Sequence, residues 1–384
     1  MSARELSLNA GLSPSVVQLI EDQRRLPGLD TVERLAAALS VSTPWLAFGT
    51  GPQSRSEVSY YVEPGHDSIG MVRELASLLT GPGGHIEQSY KYLDAADADN
   101  WCELTQQDRY GGFSESKPLE QVAAAVLQQI GRTGLDVIGL GVGTGTHEAR
   151  LIDKLLDGGY ADLRLFLVDI SQPLLSLACQ QTTKMLSGHA HIPITAINGN
   201  FFHLPSYEEV FQTTHRRQRL LTLFGNTLGN LDNEIRFIRN SLSGAQRGDL
   251  FLIDVGVAKA PAERVDLLTA NEPVLGKTRS PELQKQLKLQ ERFNVGPLLR
   301  YRNDIAEFEY MYSLDTTSCV IPGSYAIHMS ANTRLTNGGS CQFSLGYIKR
   351  YDIAKLAERL KTEGWGHVGN WEYKGQALGL FVRT

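Results

Sequence analysis

Residues 135–145 read LDVIGLGVGTG, an apolar run that passes directly into a glycine-rich turn. The run predicts a buried strand, and the turn lets the backbone approach a ligand while the next helix offers free N–H groups to an anion. The dinucleotide fingerprint G-x-G-x-x-G does not fit, because the sixth position counted from Gly139 or Gly141 is a threonine. The stretch therefore predicts a strand–turn–helix unit that is unsuited to a nicotinamide cofactor.

Four more apolar runs follow, at residues 163–168, 192–197, 220–224 and 250–253, and helical periods separate them. This alternation predicts a parallel sheet covered on both faces, in an α/β Rossmann-like fold. Before the first strand, residues 66–130 show mostly helical spacing. After about residue 300 the chain is rich in strand-forming residues, which predicts added antiparallel strands.

The chain has 384 residues and a formal net charge of −5, which excludes a disordered tail and a strongly basic polymer-binding protein. Its four cysteines form no C-x-x-C pair, so we expect buried thiols in a reducing, cytoplasmic protein. No apolar run is long enough to span a membrane, and we expect none of the chain to do so.

The N-terminal segment AGLSPSVVQLIEDQRRLPGLDTVERLAAALSVSTPWLAFG, residues 10–49, resembles a lambda-repressor-like helix-turn-helix that lacks its first helix. Ser13 and Pro14 predict the start of its recognition helix. The resemblance implies a small all-α module over residues 1–49 that binds DNA, and such modules commonly act as dimers. Base contacts are expected from Ser15 and Gln18, and phosphate contacts from Arg24 and Arg25.

The charge of this module points the other way, because residues 1–50 hold four arginines and five acids. A net −1 module gains little from phosphates, so a helical bundle used for dimerisation or docking stays open as an alternative. The Gly/Pro/Ser-rich residues 50–65 are expected to be a linker. The larger domain then covers residues 66–384, with a Rossmann core at about 130–260 and a substrate-covering part at about 261–384.

Polar residues follow the second and third strands of the predicted core. Asp169 ends one strand, where a carboxylate can accept the hydroxyls of a ribose, and Asn200 and Phe201 follow the next, where an amide and a ring suit an adenine. Because ligands collect at the carboxyl ends of parallel strands, we expect these residues to meet the glycine turn. The G-x-G-x-G spacing of that turn resembles the first motif of S-adenosylmethionine (SAM) methyltransferases.

The string GNTLGNL at residues 225–231 resembles the G-x-T-x-G-N-L signature of the histidine-specific SAM-dependent methyltransferases, the group of the ergothioneine-pathway histidine Nα-methyltransferase. Similar strings are YLDA at 92–95, DIS at 169–171, and ID at 253–254 followed by Lys259. The resemblance covers about residues 85–384 and implies SAM as cofactor and S-adenosylhomocysteine (SAH) as product.

The resemblance also implies site residues. Asn230 is expected to hold the backbone groups of an amino acid, Tyr92 to line the amine site, and Tyr110 to bind a carboxylate. The cofactor contacts expected from the motifs are Gly139, Gly141, Gly143, Thr144, Asp169, Ile170, Asn200, Phe201, Gly225, Asn226 and Thr227.

One departure bears on the substrate. The family recognises imidazole with a Glu and a Ser in an E-V-S-x-K-F string, whereas residues 344–351 here read SLGYIKRY. Residues 265–271 also lack the family's substrate tyrosine. We therefore expect an N-methyltransferase for a small-molecule amine that is amino-acid-like and not histidine. The alternative is a DNA-binding regulator whose methyltransferase-like domain senses SAM or a small molecule.

Other chemistries are excluded by missing motifs. His189 and His191 form an H-x-H pair near His203, but no ordered carboxylate or cysteine completes a metal set, and no metal is expected. The chain has no G-x-S-x-G, Walker or H-E-x-x-H sequence. It also lacks the Pro-Pro and Pro-Cys elements of DNA methyltransferases.

Overall fold

The computed structural model describes residues 2–22, 24, 26–39, 41, 46–47, 58–105, 116–131, 134–189, 192–213, 215–258, 281–317 and 319–384. Its strands in these ranges are β1 (Val58–Val62), β2 (Gly83–His85), β3 (Leu135–Leu140), β4 (Leu163–Asp169), β5 (Ile194–Asn198), β6 (Gln218–Leu223), β7 (Leu250–Val257), β8 (Ile305–Asp315), β9 (Tyr325–Leu335), β10 (Ser340–Tyr351), β11 (Trp365–Tyr373) and β12 (Gln376–Arg383). They form one mixed sheet in the order β1-β5-β4-β3-β6-β7-β10-β9-β8, with β12 on β7, β11 on β12 and β2 on β10.

The helices of the same ranges are α1 (Ala3–Asn9), α2 (Val16–Glu21), α3 (Leu29–Ala38), α4 (Ser68–Leu79), α5 (Ala95–Thr105), α6 (Ser116–Gln129), α7 (Thr146–Asp157), α8 (Gln172–Met185), α9 (Glu208–Phe211), α10 (Thr227–Asn230), α11 (Glu234–Ser241), α12 (Pro281–Tyr301) and α13 (Ile353–Thr362). Two 3₁₀ helices occur, at Gln88–Tyr92 and Phe201–Tyr207.

The parallel half of the sheet, β1-β5-β4-β3-β6-β7, is buried on both faces. Side chains of β3 alternate between two apolar layers, so that Val137 packs with α6, α7 and α8 while Ile138 packs with α11 and α13. This double burial explains the continuous apolar runs of the sequence. The predicted Rossmann-like α/β fold is confirmed, and the carboxyl ends of the parallel strands lie at one edge, where ligands bind in such sheets.

The antiparallel half consists of β8, β9 and β10, and it confirms the predicted C-terminal strands. Leu75 of α4 and Leu298 of α12 belong to the same apolar cluster as Phe343 of β10, so these two helices cover this half. β10 also pairs in parallel with β2 and, at its end, with β7, which joins this half to the core. The pairing of β10 with β9 shifts register between Ser344 and Gly346, a β-bulge that matters for the face of β10 that follows.

The N-terminal module contains α1, α2 and α3. Ser2 and Glu5 form a reciprocal capping box at the start of α1. The expectation that Ser13 caps the next helix and Pro14 begins it is wrong, because the Ser13 carbonyl closes a turn onto the Val16 N–H and α2 begins at Val16. A buried hydrogen bond joins α1 to α2, because the Ser7 hydroxyl accepts the Val17 N–H at 3.0 Å.

Two further expectations are corrected in detail. Strand β1 lies within residues 50–65, which composition alone assigns to a linker, and it pairs with β5 at the edge of the sheet. Cys179 and Cys341 are buried thiols as expected, whereas Cys102 on α5 and Cys319 between β8 and β9 are partly exposed because those elements lie on the outside of the fold. No helix in the described ranges combines the length and apolarity needed to cross a membrane.

Candidate active site

The glycine turn after β3 adopts a backbone that side chains rarely allow. Gly141, Gly143 and Gly145 have φ values of +64°, +54° and +68°. A Cβ at Gly141 would lie 3.3 Å from the ring of Phe201, and one at Gly143 would lie 3.1 Å from Trp101 Nε1. Glycine is therefore needed here both for the left-handed backbone and for the space between the turn and two aromatic rings.

Asp169 connects the glycine turn to the end of β4. Its Oδ2 accepts the Gly143 N–H at 2.9 Å, and its Oδ1 accepts the Ser171 N–H at 2.8 Å. Burial raises the pKa of Asp169 to about 6. Each oxygen keeps a second lone pair, so the arrangement is compatible with the predicted contact to a ribose. The carbonyl of Ile170 is engaged by the Asn198 side chain at 3.1 Å.

The loop after β5 brings Phe201 to the turn but uses part of Asn200 locally. The Asn200 Oδ1 accepts the Phe202 N–H at 3.0 Å and so caps the 3₁₀ helix. Its backbone N–H donates to Glu63 Oε2 at 2.9 Å. Glu63 follows β1 and also contacts His203 Nδ1 at 2.6 Å. It is a positioning residue that the sequence analysis missed, since nothing local marks it.

The loop after β6 contains two left-handed residues, Gly225 and Asn226. Asp254 Oδ2 accepts the Gly225 N–H at 3.0 Å, and Asn226 Oδ1 accepts the Gly256 N–H at 2.8 Å. Burial raises the pKa of Asp254 to about 7. The Thr227 hydroxyl donates to the Phe224 carbonyl, and its methyl group would lie 3.7 Å from a Cβ at Gly141. The predicted cofactor loop thus reaches the glycine turn.

Asn230 ends α10, and the residues after it are fixed by a buried lysine. Lys349 Nζ donates to the Leu231 carbonyl at 2.7 Å and the Asp232 carbonyl at 3.0 Å, and it pairs with Glu234 Oε2 at 2.6 Å. Lys349 and Glu234 are almost fully buried. This pair defines where the chain carrying Asn230 can lie.

Tyr92 ends the first 3₁₀ helix and belongs to an aromatic cluster. Its ring centroid lies 5.6 Å from that of Trp101 and 5.3 Å from that of Phe293. Its hydroxyl oxygen accepts a hydrogen bond from Gln88 Nε2 at 3.0 Å. Because Trp101 also lies against Gly143, the cluster joins Tyr92 to the glycine turn. Tyr110, Lys259 and residues 265–271 lie outside the described residues.

The buried Lys91, next to Tyr92, is a second group that sequence reasoning missed. Its ammonium donates to Gln88 Oε1 at 2.9 Å, to Asn294 Oδ1 at 2.6 Å and to the Leu345 carbonyl. Burial lowers the pKa of Lys91 to about 7. The lysine ties the 3₁₀ helix of Tyr92 to α12 and β10.

Two ionisable groups lie beneath the glycine turn at the start of α7. Burial raises the pKa of Glu148 to about 7, and its Oε1 accepts the Thr222 hydroxyl at 3.4 Å. A Cβ at Gly139 would lie 2.9 Å from Glu148 Cγ. Burial lowers the pKa of His147 to about 4. Near the turn, the hydroxyls of Thr144 and Thr146 lie 3.0 Å apart.

The histidines weighed as metal ligands have separate partners. His189 Nε2 contacts Asp153 Oδ1 at 2.8 Å, while His203 contacts Glu63. His191 lies outside the described residues. Across the part of the chain that the structure describes, no group of three or more His, Cys, Asp or Glu side chains is arranged to hold a metal ion.

Comparison with known proteins identifies the family. Residues 71–268 match the family model described as "Histidine-specific methyltransferase, SAM-dependent". The chain belongs to this family. It is a SAM-dependent methyltransferase, with SAM as cofactor and SAH as product. No curated protein matches the sequence.

Three solved methyltransferase structures show low sequence identity to this chain. Magnesium protoporphyrin IX methyltransferase from Synechocystis PCC 6803 with bound SAH is 12% identical over 77% of this chain and 98% of its own, with a TM-score of 0.41. The glycopeptide N-methyltransferase MtfA with sinefungin is 11% identical over 76% and 98%, with a TM-score of 0.34. The 1,6-didemethyltoxoflavin-N1-methyltransferase of Burkholderia thailandensis is 11% identical over 78% and 92%, with a TM-score of 0.37.

The described residues of this chain fit the cofactor. Three left-handed glycines leave a cradle that a Cβ would fill, Asp169 accepts a hydrogen bond from it, and the rings of Phe201 and Trp101 lie against it. The residues that would hold SAM are those of the glycine turn, the Asp169 carboxylate, the Phe201 ring and the loop that begins at Gly225.

Proposed function

We propose that this methyltransferase acts on the amine of an amino acid or amino-acid-like small molecule other than histidine. One observation carries the proposal: the loop of Asn230 reaches the glycine turn through Thr227, and the cluster of Tyr92 reaches it through Trp101. Two side chains suited to hold an amine therefore approach the same turn from two elements.

Methyl transfer to an amine needs alignment and a neutral nitrogen more than it needs a strong acid. When bound, SAM supplies an electrophilic methyl group whose leaving electron pair returns to sulfur. Asn230 and Tyr92 orient the nitrogen lone pair, which forms the new N–C bond. The rings of Trp101 and Phe293 exclude water and face the positive charge. The nitrogen releases its proton to water, or to the Tyr110 hydroxyl as that group passes its own proton on to water.

The case against histidine rests on β10. The family's Glu and Ser contacts to imidazole are absent from residues 344–351, so a neutral imidazole lacks the partners that the family provides. A bound imidazole whose nitrogen atoms find no hydrogen-bond partner is not compensated for the loss of its water, which lowers the affinity for histidine.

The test is a methylation assay with a panel of amino acids and amines, read by mass spectrometry as added methyl groups. We expect transfer to a primary or secondary amine, with Asn230→Ala reducing kcat/KM by about 100-fold. Asn240→Ala, on the surface of α11, is the matched control. Histidine as the preferred acceptor, or activity unchanged by Asn230→Ala, contradicts the proposal.

For the N-terminal module we infer that α2 contacts DNA. Gln18 is exposed on this helix, Ser15 is exposed just before it and Arg24 just beyond it, as a recognition helix requires, while Arg25 lies outside the described residues. Gln18 Nε2 contacts Asp22 Oδ1 at 3.1 Å and must release it to reach a base.

The test is fluorescence anisotropy of the full chain with the DNA upstream of its own gene. An affinity for DNA that falls with added salt and with Gln18→Ala supports the contact. If Gln18→Ala and the wild type bind every DNA sequence with equal affinity, base readout by Gln18 is contradicted. Sedimentation in the same buffer measures whether the chain forms the homodimer expected of such modules.

A further inference from the structure

The bulge in β10 brings Ser344 and Tyr347 to the same face of the sheet. Ser344 pairs with Ser330 of β9, and Tyr347 pairs with His328. Residues two apart on a regular strand share a face, so Ser330 and His328 share one. Their partners on β10 therefore share it too, although three positions separate them.

Five side chains meet on this face and form what we call the imidazole cluster. The Ser344 hydroxyl lies 3.0 Å from His85 Nδ1 and 2.8 Å from His328 Nε2. His85 Nε2 lies 3.3 Å from Asp232 Oδ1. The rings of His328 and Tyr347 are stacked with centroids 5.0 Å apart. All five side chains are partly exposed, so the cluster is open to a ligand.

Counting protons fixes the direction of these hydrogen bonds. The Asp232 carboxylate can only accept, so His85 Nε2 carries a hydrogen. In the tautomer with its hydrogen on Nε2, His85 has a lone pair on Nδ1, which accepts the Ser344 hydroxyl. That hydroxyl has a single hydrogen, so its oxygen accepts from His328 Nε2–H. This series of hydrogen bonds ends at His328 Nδ1, which is left with a lone pair and acts as an acceptor.

Burial favours the neutral form of His328, in which Nδ1 can accept a hydrogen bond. Burial and the nearby His85 lower the pKa of His328, while Asp315 acts in the opposite direction. The hydrogen bond from His85 lowers the pKa of Asp232, so this carboxylate is ionised at neutral pH.

Two buried lysines lie nearby. Lys349 is paired with Glu234 and adds to the effect of His85 in lowering the pKa of Asp232, while burial lowers the pKa of Lys91 to about 7. The cluster thus presents an acceptor in a field to which Asp232 and Asp315 contribute negative charge.

The cluster adjoins the residues assigned to the amine. Asp232 follows Asn230 by two positions. On the other side, a Cβ at Gly346 would lie 3.3 Å from Gln88 Oε1, and Gln88 donates to the Tyr92 hydroxyl. A molecule whose amine is held by Asn230 and Tyr92 therefore has the cluster within reach of its far end.

We propose that the imidazole cluster binds a second, cationic hydrogen-bond donor of the substrate, an ammonium or guanidinium group on a basic amino acid or a similar diamine. This inference rests on the proposed function, because it takes the reacting amine to lie at Asn230 and Tyr92. His328 accepts the hydrogen bond of the cation, and Asp232 supplies the charge through His85.

The test is calorimetric titration of the SAH-saturated full chain with L-lysine and L-arginine, and with L-norleucine as the uncharged match for lysine. We expect lysine or arginine to bind at least about tenfold more tightly than norleucine. His328→Phe keeps a ring beside Tyr347 but removes the acceptor, so it should abolish this preference and leave the SAH affinity unchanged.

Two further variants control for folding. His367→Phe on β11 makes the same exchange away from the cluster and should keep the preference for the cation. Ser344→Ala interrupts the series of hydrogen bonds without removing an imidazole, and it should lower the preference for lysine over norleucine. Lowering the pH through the pKa of His328 should weaken lysine binding in the wild type but not in His328→Phe, because the protonated ring donates and repels the cation.

The outcomes separate the two proposals. If the protein binds SAH but binds norleucine as tightly as lysine, or binds none of the three amino acids, the present inference is overturned. The assignment as a methyltransferase is not affected by that result. A preference for lysine that survives His328→Phe also overturns it. Failure of the wild type to bind SAH overturns the proposed function and this inference with it.

Discussion

The two sides of the active site are held in different ways. On the cofactor side, several polar contacts join residues that are close in sequence: Asp169 with Ser171, and Asn200 with Phe202, are two positions apart, and Gly143 with Asp169 is 26 apart, whereas Glu63 reaches Asn200 over 137 positions. In each of these contacts a side-chain oxygen accepts a backbone N–H. A short motif can therefore specify most of this geometry.

On the substrate side, side chains contact groups far along the chain. Lys91 reaches Asn294 over 203 positions and Leu345 over 254, and His85 reaches Ser344 over 259. These contacts need β10 and α12 already in place. Contacts between residues close in sequence therefore define much of the cofactor site, whereas the substrate site depends on the assembly of the antiparallel half.

The largest expected effect tests how the substrate side is held. Lys349→Met leaves Glu234 buried without its partner, and breaking a buried ion pair typically costs about 3–5 kcal/mol. We expect that loss in the free energy of unfolding, measured with urea. The exposed Lys361→Met is the control, and Lys349→Met with Glu234→Gln should recover part of the loss. An effect no larger than that of Lys361→Met would show that local contacts suffice here.

The cofactor side is tested by Asp169→Ala. The change removes the carboxylate that accepts from Gly143 and Ser171 and that is predicted to bind the ribose, so we expect about 100-fold weaker SAM binding in a calorimetric titration. Asp157→Ala, at the end of α7, removes an exposed carboxylate as the control. Unchanged SAM affinity in Asp169→Ala would refute the assignment of this residue.

A pH series tests the buried carboxyl beneath the glycine turn. The folded pKa of Glu148 is about 7 and its ordinary value is 4.5, so the folded protein binds the proton more tightly. Its contribution to stability is therefore complete below pH 4.5 and is lost as the pH rises to about 7.

Glu148→Gln removes this dependence. Between pH 5 and pH 8 we expect the free energy of unfolding of the wild type to fall by about 2–3 kcal/mol more than that of the variant. Urea unfolding at both pH values measures the difference, with the exposed Glu120→Gln as the control. Parallel pH curves for wild type and Glu148→Gln would show that this carboxyl is ionised in the folded state.

The smallest effect separates backbone strain from ligand space. Gly143→Ala and Gly159→Ala both force alanine into a left-handed backbone, which costs about 1–2 kcal/mol of stability. Only at Gly143 does the new Cβ meet another residue, Trp101. We therefore expect only Gly143→Ala to weaken SAM binding, by up to about tenfold. Equal SAM affinity in both variants would place the cofactor elsewhere.

Much of the fold was predictable because the buried parallel strands leave continuous apolar runs and the glycine turn follows the first of them. The string at residues 225–231 then identified the family. The start of α2 was not predictable from Ser13 and Pro14, because a turn satisfies the same residues. Strand β1 is short and partly exposed, so its composition resembles that of a linker.

The side chains missed in the site share one property. Glu63, Trp101 and Lys91 act through partners on other elements, and no local spacing records such a partner. The departure of residues 344–351 from the family string was visible in the sequence. What replaces it was not, since His85 and His328 come from two other strands.

The pairing of β10 at its bulge decides which of its side chains face the imidazole cluster. Deleting one residue of the bulge would leave Ser344 and Tyr347 two positions apart and still on the same face, whereas regular pairing of all the residues would turn one of them to the opposite side of the sheet. A slip of one position in this pairing would exchange the whole row of side chains that follows on β10, Lys349 included. Within such a scaffold, a change in the pairing of one strand can redirect specificity in one step, which point substitutions achieve only residue by residue.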